Sequence, residues 1–315
     1  MALPRMAVVG LGAVGTVLAG ALLREKPDTV LALSSPGSRA AWEATGLTVS
    51  GTLNYREPAP TLCDRPAALV EFAPGVIFLA VKTFHLPALV EQLAPCVAAG
   101  AKLVSAQNGL GTEDYLAERF GADRALRLSC NFGAARVGPG HVTTAFFNPP
   151  NHLGWLDPAN ADLAAELAQT LTQGGLGAQA VEDIKFYIWK KMVMKCTMAN
   201  LCAVTDRTIR DALEFPPTRE IAFSCFSEAL AVARAQGVDL GPDYLDQALA
   251  YLARVGRHKD SMCADLAQGS RTEIDFLGGK VVEYARTAGI AVPYYETMTN
   301  LVRAVEDSHL RSTGE

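Results

Sequence analysis

No stretch of the 315 residues holds about 18 uninterrupted apolar side chains, so the sequence offers no candidate membrane span. No basic block stands out either. The 28 Lys and Arg against 33 Asp and Glu leave a net charge of −5, which argues against a nucleic-acid partner. Ahead of the first apolar run there is a single Arg, and glycines soon interrupt that run. This is not the pattern of a secretory leader, and a cytoplasmic protein is expected. Cysteine is odd in count at seven, and no C-x-x-C or Cys/His ligand spacing occurs. Reduced, buried thiols follow, and no structural metal is expected from these or from the five scattered histidines. No internal repeat is present.

What the chain does have is a glycine-rich turn near its start, Met6-Ala7-Val8-Val9-Gly10-Leu11-Gly12-Ala13-Val14-Gly15. Four consecutive apolar residues read as a strand buried on both faces, because such a strand shows no alternation. The glycines then fall at the G-x-G-x-x-G spacing and open an apolar helix from Ala13 to about Leu23. Gly10 permits a sharp exit from the strand, Gly12 an approach of phosphate to the backbone, and Gly15 close packing of helix on strand. The helix N-terminus offers free N–H groups and a positive dipole end to a pyrophosphate. A second strand over 29–33 ends at Ser34-Ser35-Pro36-Gly37, with Ser38 and Arg39 following. No carboxylate stands where one would hold the ribose 2′-hydroxyl of NAD. Ser34, Ser35 and Arg39 suit a 2′-phosphate, which favours NADP(H), although Ser-Ser-Pro-Gly is also ordinary turn chemistry.

Two later apolar runs, 76–81 and 102–106, end in Lys82 and in Gln107-Asn108-Gly109. In open parallel sheets ligands sit beyond the carboxyl ends of the strands. Lys82 would then contact phosphate or ribose, and Asn108 the nicotinamide ribose or a substrate. A solvated loop lysine and an Asn-Gly turn are the plainer alternatives. Further strands are expected from 126 to 156 and over 174–181, with a helix over 160–173 that Asn160 would cap. Strands alternating with helices predict a doubly wound sheet.

From Ile184 onward only helical patterns follow, at 184–203, 218–236, 242–256, 260–268, 271–288 and 295–305, ahead of a disordered tail from Arg311. The domain boundary is placed near 183. In the first of these helices Lys191 and Lys195 share a face among Trp, Met, Val and Cys residues. Apolar surroundings and a neighbouring cation both lower an ammonium's pKa, which suits a general acid or an anion clamp. A snorkelling pair at a domain rim has the same pattern. Ser270 and Glu273 have capping-box spacing for the helix at 271–288.

Taken together, several of these stretches resemble the ketopantoate reductase family. They are Gly10 to Gly15, Ala80-Val81-Lys82-Thr83, Gln107-Asn108-Gly109, Trp189-Lys190-Lys191, Ser261-Met262 with Asp265, Arg271-Thr272-Glu273-Ile274-Asp275, and Gly289-Ile290-Ala291-Val292-Pro293. They occur in family order over nearly the whole chain. The resemblance implies an α/β protein with an N-terminal Rossmann domain (1–183) binding NADP(H) through Gly10, Leu11, Gly12, Ala13, Val14, Gly15, Ser34, Ser35, Arg39, Lys82 and Asn108. An all-α C-terminal domain (184–315) would follow, with the active site in the cleft between them. It implies NADPH-dependent reduction of a 2-oxo acid to a 2-hydroxy acid, as in pantothenate biosynthesis. Lys191 would be the catalytic lysine and Glu273 the active-site glutamate. Asn108, Lys195, His258 and Ser261 would face the substrate.

The chain departs from the family pattern at three of the pocket positions. Lys195 and Ala199 stand where the family commonly has Asn, and His258 where it often has Asn. Loss of these amide readers predicts a 2-oxo acid other than ketopantoate, bulkier, more apolar, or with a second carboxylate facing Lys195. A dehydrogenase working in the oxidative direction and a non-catalytic NADPH sensor are the other readings. A homodimer through the helical domain is compatible with its apolar content.

Overall fold

The computed structural model describes residues 4–27, 30–33, 39–58, 60–63, 66–255 and 259–313. The chain forms two compact units. One holds residues 1–107 and 112–184, and the other 108–111 and 185–315.

The first unit is a Rossmann-type α/β structure. Its strands are β1 (Met6–Val9), β2 (Val30–Leu33), β3 (Leu47–Gly51), β4 (Tyr55–Glu57), β5 (Thr61–Cys63), β6 (Val76–Leu79), β7 (Lys102–Ser105), β8 (Ala125–Ser129), β9 (Phe132–Gly138), β10 (His141–Phe147), β11 (Asn151–Trp155) and β12 (Ala178–Val181). Its helices are α1 (Ala13–Glu25), α2 (Arg39–Thr45), α3 (Pro66–Phe72), α4 (Leu86–Ala98), α5 (Thr112–Phe120) and α6 (Ala161–Leu171). The main sheet has the order β12-β11-β8-β7-β6-β1-β2-β5 and is parallel except where β11 meets β8. A smaller sheet, β4-β3-β10-β9, stands apart from it.

Strand β1 lies at the centre because it is apolar at every position. Met6 and Val8 enter one core cluster, and Ala7 and Val9 the cluster on the opposite face. The chain leaves β1 toward β2 on one side and returns to β6 on the other. The strand order therefore reverses between β1 and β6, which opens a crevice beyond their carboxyl ends.

Sequence and structure part company at several boundaries. The strand expected over 174–181 starts only at Ala178, because Gly175 and Gly177 have φ of +95° and +44° and turn the chain first. Asn160 does not cap α6 through its side chain, which instead donates to the Asp123 carbonyl at 2.9 Å.

The second unit is helical: α7 (Ile184–Thr205, from its second residue), α8 (Ile209–Glu214), α9 (Pro216–Ala235), α10 (Tyr244–Val255), α11 (Ser261–Ala267), α12 (Gly278–Ala288) and α13 (Pro293–Thr313). The helix expected over 271–288 is only α12, preceded by a short 3₁₀ turn over Ile274–Phe276. Ser270 starts no helix, because its N–H donates back to the Asp265 carbonyl at 2.9 Å and closes the end of α11. The capping box is therefore not formed, and Glu273 makes no side-chain cap bond. The final helix is longer than expected and takes in Arg311, where a disordered tail was expected.

The core of this unit holds ionisable groups without charge. Burial pushes the Cys196 and Cys225 thiols up to about 12 and Cys263 up to about 11, and raises the phenols of Tyr244 and Tyr295. The unfolded chain sheds these protons from about pH 9 for thiols and pH 10 for phenols, while the folded unit keeps them. Their contribution to stability is thus intact below pH 9 and is lost between pH 9 and about 12. Chemical denaturation between pH 8 and 11 is expected to show midpoints that fall with pH, and native protein at pH 8 is expected to resist thiol alkylation until denaturant is added.

Candidate active site

The glycine turn has the geometry its spacing predicts. Gly10 has φ of +96°, and a Cβ there would come within 2.6 Å of the Val81 nitrogen, so neither the conformation nor the space admits a side chain. Gly15 packs against the Gly10 carbonyl. Gly12 faces open space, with no atom within 4 Å of where its Cβ would stand. No side chain caps the N-terminus of α1, and no carboxylate lies in its first turn. Leu11, Gly12, Ala13 and Val14 therefore surround helix-end N–H groups that have no intrahelical partner. An open approach to an uncapped, electropositive helix end fits a dinucleotide pyrophosphate.

Of the other residues expected at the cofactor, Lys82 is half-buried just beyond β6, ahead of the 3₁₀ turn Thr83–His85. Arg39 opens α2 and donates to Glu43 at 2.9 Å on an exposed face. Ser34 and Ser35 lie outside the described residues, as does His258.

The segment after β7 is held by a polar network that the sequence did not announce. Arg127, on β8, is 1% exposed, and its guanidinium donates to Ser105 Oγ at 2.6 Å and to Thr112 Oγ1. Its charge is met by Glu113, with Nε 3.5 Å from Oε2. Ser105 Oγ also donates to Gln107 Oε1 at 3.1 Å, and Gln107 Nε2 donates to the Val81 carbonyl at 3.1 Å. Ser105 ends β7 and Thr112 begins α5. One buried cation thus clamps both ends of the loop 106–111. A lone Arg in an otherwise apolar strand, Ala125-Leu126-Arg127-Leu128, was the available signal.

Within the helical unit that loop meets the catalytic candidates. Lys191 Nζ donates to Asn108 Oδ1 at 2.8 Å. Leu110 N–H donates to the Phe276 carbonyl at 2.9 Å, so the loop is seated on the 3₁₀ turn that Glu273 begins. Glu273 is half-buried there. Lys191, Asn108 and the Glu273 turn are therefore brought together, although 83 positions separate the first two.

Lys195 is not an open cation. Its Nζ lies 2.8 and 2.6 Å from the two carboxylate oxygens of Asp260 and 2.9 Å from Ser261 Oγ. Of the three substrate alternatives, the one with a second carboxylate facing Lys195 would meet an ammonium that the chain's own Asp260 already engages. Ala199 is wholly buried and presents no surface. Asp260 was missed in the sequence, where its place before Ser261 marks it only as a helix N-cap.

Residues 6–156 match the family described as ketopantoate reductase PanE/ApbA, and residues 183–306 match its C-terminal counterpart. The chain belongs to the ketopantoate reductase family. A 2-dehydropantoate 2-reductase of Halobacterium salinarum is 29% identical over 304 residues, covering 96% of this chain and 99% of that protein. A PanE/ApbA family ketopantoate reductase from Ralstonia eutropha has a TM-score of 0.87 at 25% identity, covering 97% of this chain and 99% of that one. D-mandelate dehydrogenase with NADH and anilino(oxo)acetate has a TM-score of 0.85 at 23% identity, covering 97% of this chain and 99% of that one, a likeness of fold. As a ketopantoate reductase family member the chain is an oxidoreductase acting on CH–OH donors. Family and glycine turn together indicate a nicotinamide dinucleotide. No helix among the described residues is long and apolar enough to cross a membrane.

Breaking a buried ion pair costs about 3–5 kcal/mol because it strands the remaining charge. Arg127→Met is therefore expected to lower stability by roughly that amount. Adding Glu113→Gln should restore part of it, since the double variant leaves no lone buried anion. Urea denaturation of the single and double variants measures both effects.

Proposed function

We propose that the chain uses NADPH to reduce the ketone of a 2-oxo acid to a 2-hydroxy acid, with residues 1–183 binding the cofactor and 184–315 the substrate. The observation that carries this reading is the Lys191–Asn108 contact of 2.8 Å beside the Glu273 turn. The carbonyl of Asn108 takes one N–H of the ammonium and fixes its direction. In this reading a ketone oxygen binds beside that contact, within reach of the ammonium. When bound at the glycine turn, a nicotinamide dinucleotide would supply the hydride for the carbonyl carbon. As negative charge grows on the oxygen, Lys191 stabilises it and gives up one proton from Nζ, so the product leaves as the alcohol and the lysine as the neutral amine. Solvent then reprotonates the amine. Glu273 acts in the substrate and cofactor region, and Ser261 donates to the substrate carboxylate.

NADPH over NADH is supported by the lack of a carboxylate in Ser34-Ser35-Pro36-Gly37-Ser38-Arg39. Ketopantoate, on which the family's curated members are named to act, heads the substrates to be tried. The changed residues Lys195, Ala199 and His258 argue for a preference shifted from it. A homodimer through the helical unit belongs to the same reading, with Phe215, Tyr251, Tyr294 and Leu301 its exposed large apolar side chains.

Lys191→Ala is expected to lower kcat by about 10²–10⁴, the usual worth of a positioned proton donor, while leaving NADPH binding by fluorescence within about twofold. Turnover that survives this change would rule out Lys191 as the proton donor. Arg39→Ala is expected to raise the KM for NADPH by about tenfold, the loss of one phosphate contact, and to leave the KM for NADH unchanged. Steady-state kinetics with the two cofactors in parallel would show an equal rise for both if Arg39 does not read the 2′-phosphate.

A further inference from the structure

The Lys195–Asp260 pair decides what the substrate side chain can be. Both groups are largely sealed, the Lys195 side chain 16% and the Asp260 side chain 8% exposed. An ammonium has three N–H donors, and Lys195 has three acceptors already in place, two on Asp260 and one on Ser261. The pair is neutral as a unit. Asp260 is itself fixed from the other side, because its Oδ1 accepts the Met262 N–H at 2.9 Å as the N-cap of α11.

A substrate carrying a second carboxylate would gain nothing here. To reach the ammonium it would have to displace Asp260, leaving that carboxylate buried without its cation. It would otherwise approach an anion. Ala199, one turn further along α7, is buried and offers no donor either. Ser261 is in the opposite position. It is exposed and accepts from Lys195, so its own hydrogen, which has only a 3.5 Å contact to Asp260 Oδ1, is left for an incoming group.

We propose that Asp260 is a specificity-determining residue: by holding Lys195 it withdraws the cation from recognition, so the substrate is a 2-oxo acid whose remaining substituent is uncharged and largely apolar. This rests on the reductase reading above. Ser261 takes the carboxylate common to all 2-oxo acids, and the pair rejects a second one.

The test uses the full chain with NADPH, and 2-oxoisovalerate and 2-oxoglutarate as probes. Calorimetric binding of the matching 2-hydroxy acids gives a readout without turnover. The native protein should favour the monocarboxylate in kcat/KM by about 100-fold or more. Asp260→Asn retains an N-cap oxygen for Met262 and frees the ammonium. It should narrow that ratio at least about tenfold, through a lower KM and tighter binding for the dicarboxylate. Lys195→Met, which removes the cation altogether, should not narrow it. A ratio unmoved by Asp260→Asn, or a native preference for 2-oxoglutarate in kinetics or in binding, would overturn the assignment. Absence of turnover on every 2-oxo acid, ketopantoate included, while the 2-hydroxy acids still bind with the expected order, would overturn the reductase reading and uphold the role of Asp260.

Discussion

A guanidinium sealed inside the Rossmann unit holds both ends of the loop that carries Asn108. Arg127 reaches the last residue of β7 and the first residue of α5, and Glu113 balances its charge. The six residues between those two ends include Asn108 and Gly109. Fixing both ends of a short loop removes most of its freedom, so its backbone has few conformations left. Asn108 lies in that loop and, within the helical unit, accepts from Lys191. A free loop would have to be ordered each time a substrate arrived, and the contact would lose its value for orientation. The cost of burying the cation is offset by the two hydroxyls that accept from Nη1 and by the Glu113 carboxylate 3.5 Å from Nε.

Two lysines on one face of α7 have partners of different kinds. Lys191 meets an amide oxygen, which gives its ammonium a fixed direction. Lys195, one turn on, meets a full carboxylate and a hydroxyl. The second pair therefore adds little field at the first. Lys195, so engaged, is tied to the start of α11.

Much of this was legible from residues alone. The apolar Met6–Val9 strand and its three glycines allow one local arrangement, because only glycine tolerates the Gly10 conformation and only glycine fits against its carbonyl at position 15. The order of strands and helices, the all-helical second half and the family resemblance follow from the same kind of local signal. Where a local signal was trusted against a competing contact, it failed. Ser270 and Glu273 have capping-box spacing, yet Ser270 is consumed in closing α11. Asn160 has N-cap character, yet its side chain bonds Asp123. In each case one polar group had two partners available, and spacing along the chain gives no means of choosing.

What the sequence determined by itself is therefore the set of chemical groups and their local frames: a glycine turn at a helix end, a lysine pair on one helical face, a loop with Asn108. What only the tertiary structure decided is which of those groups meet. Asn108 and Lys191 are 83 positions apart, and Lys195 and Asp260 are 65 apart. Electrostatic partnership depends on distance in space and on exclusion of water, and neither is written in the spacing of residues along one chain. The charge of a lysine is a property of its sequence position, but whether that charge is available to a substrate is a property of the fold.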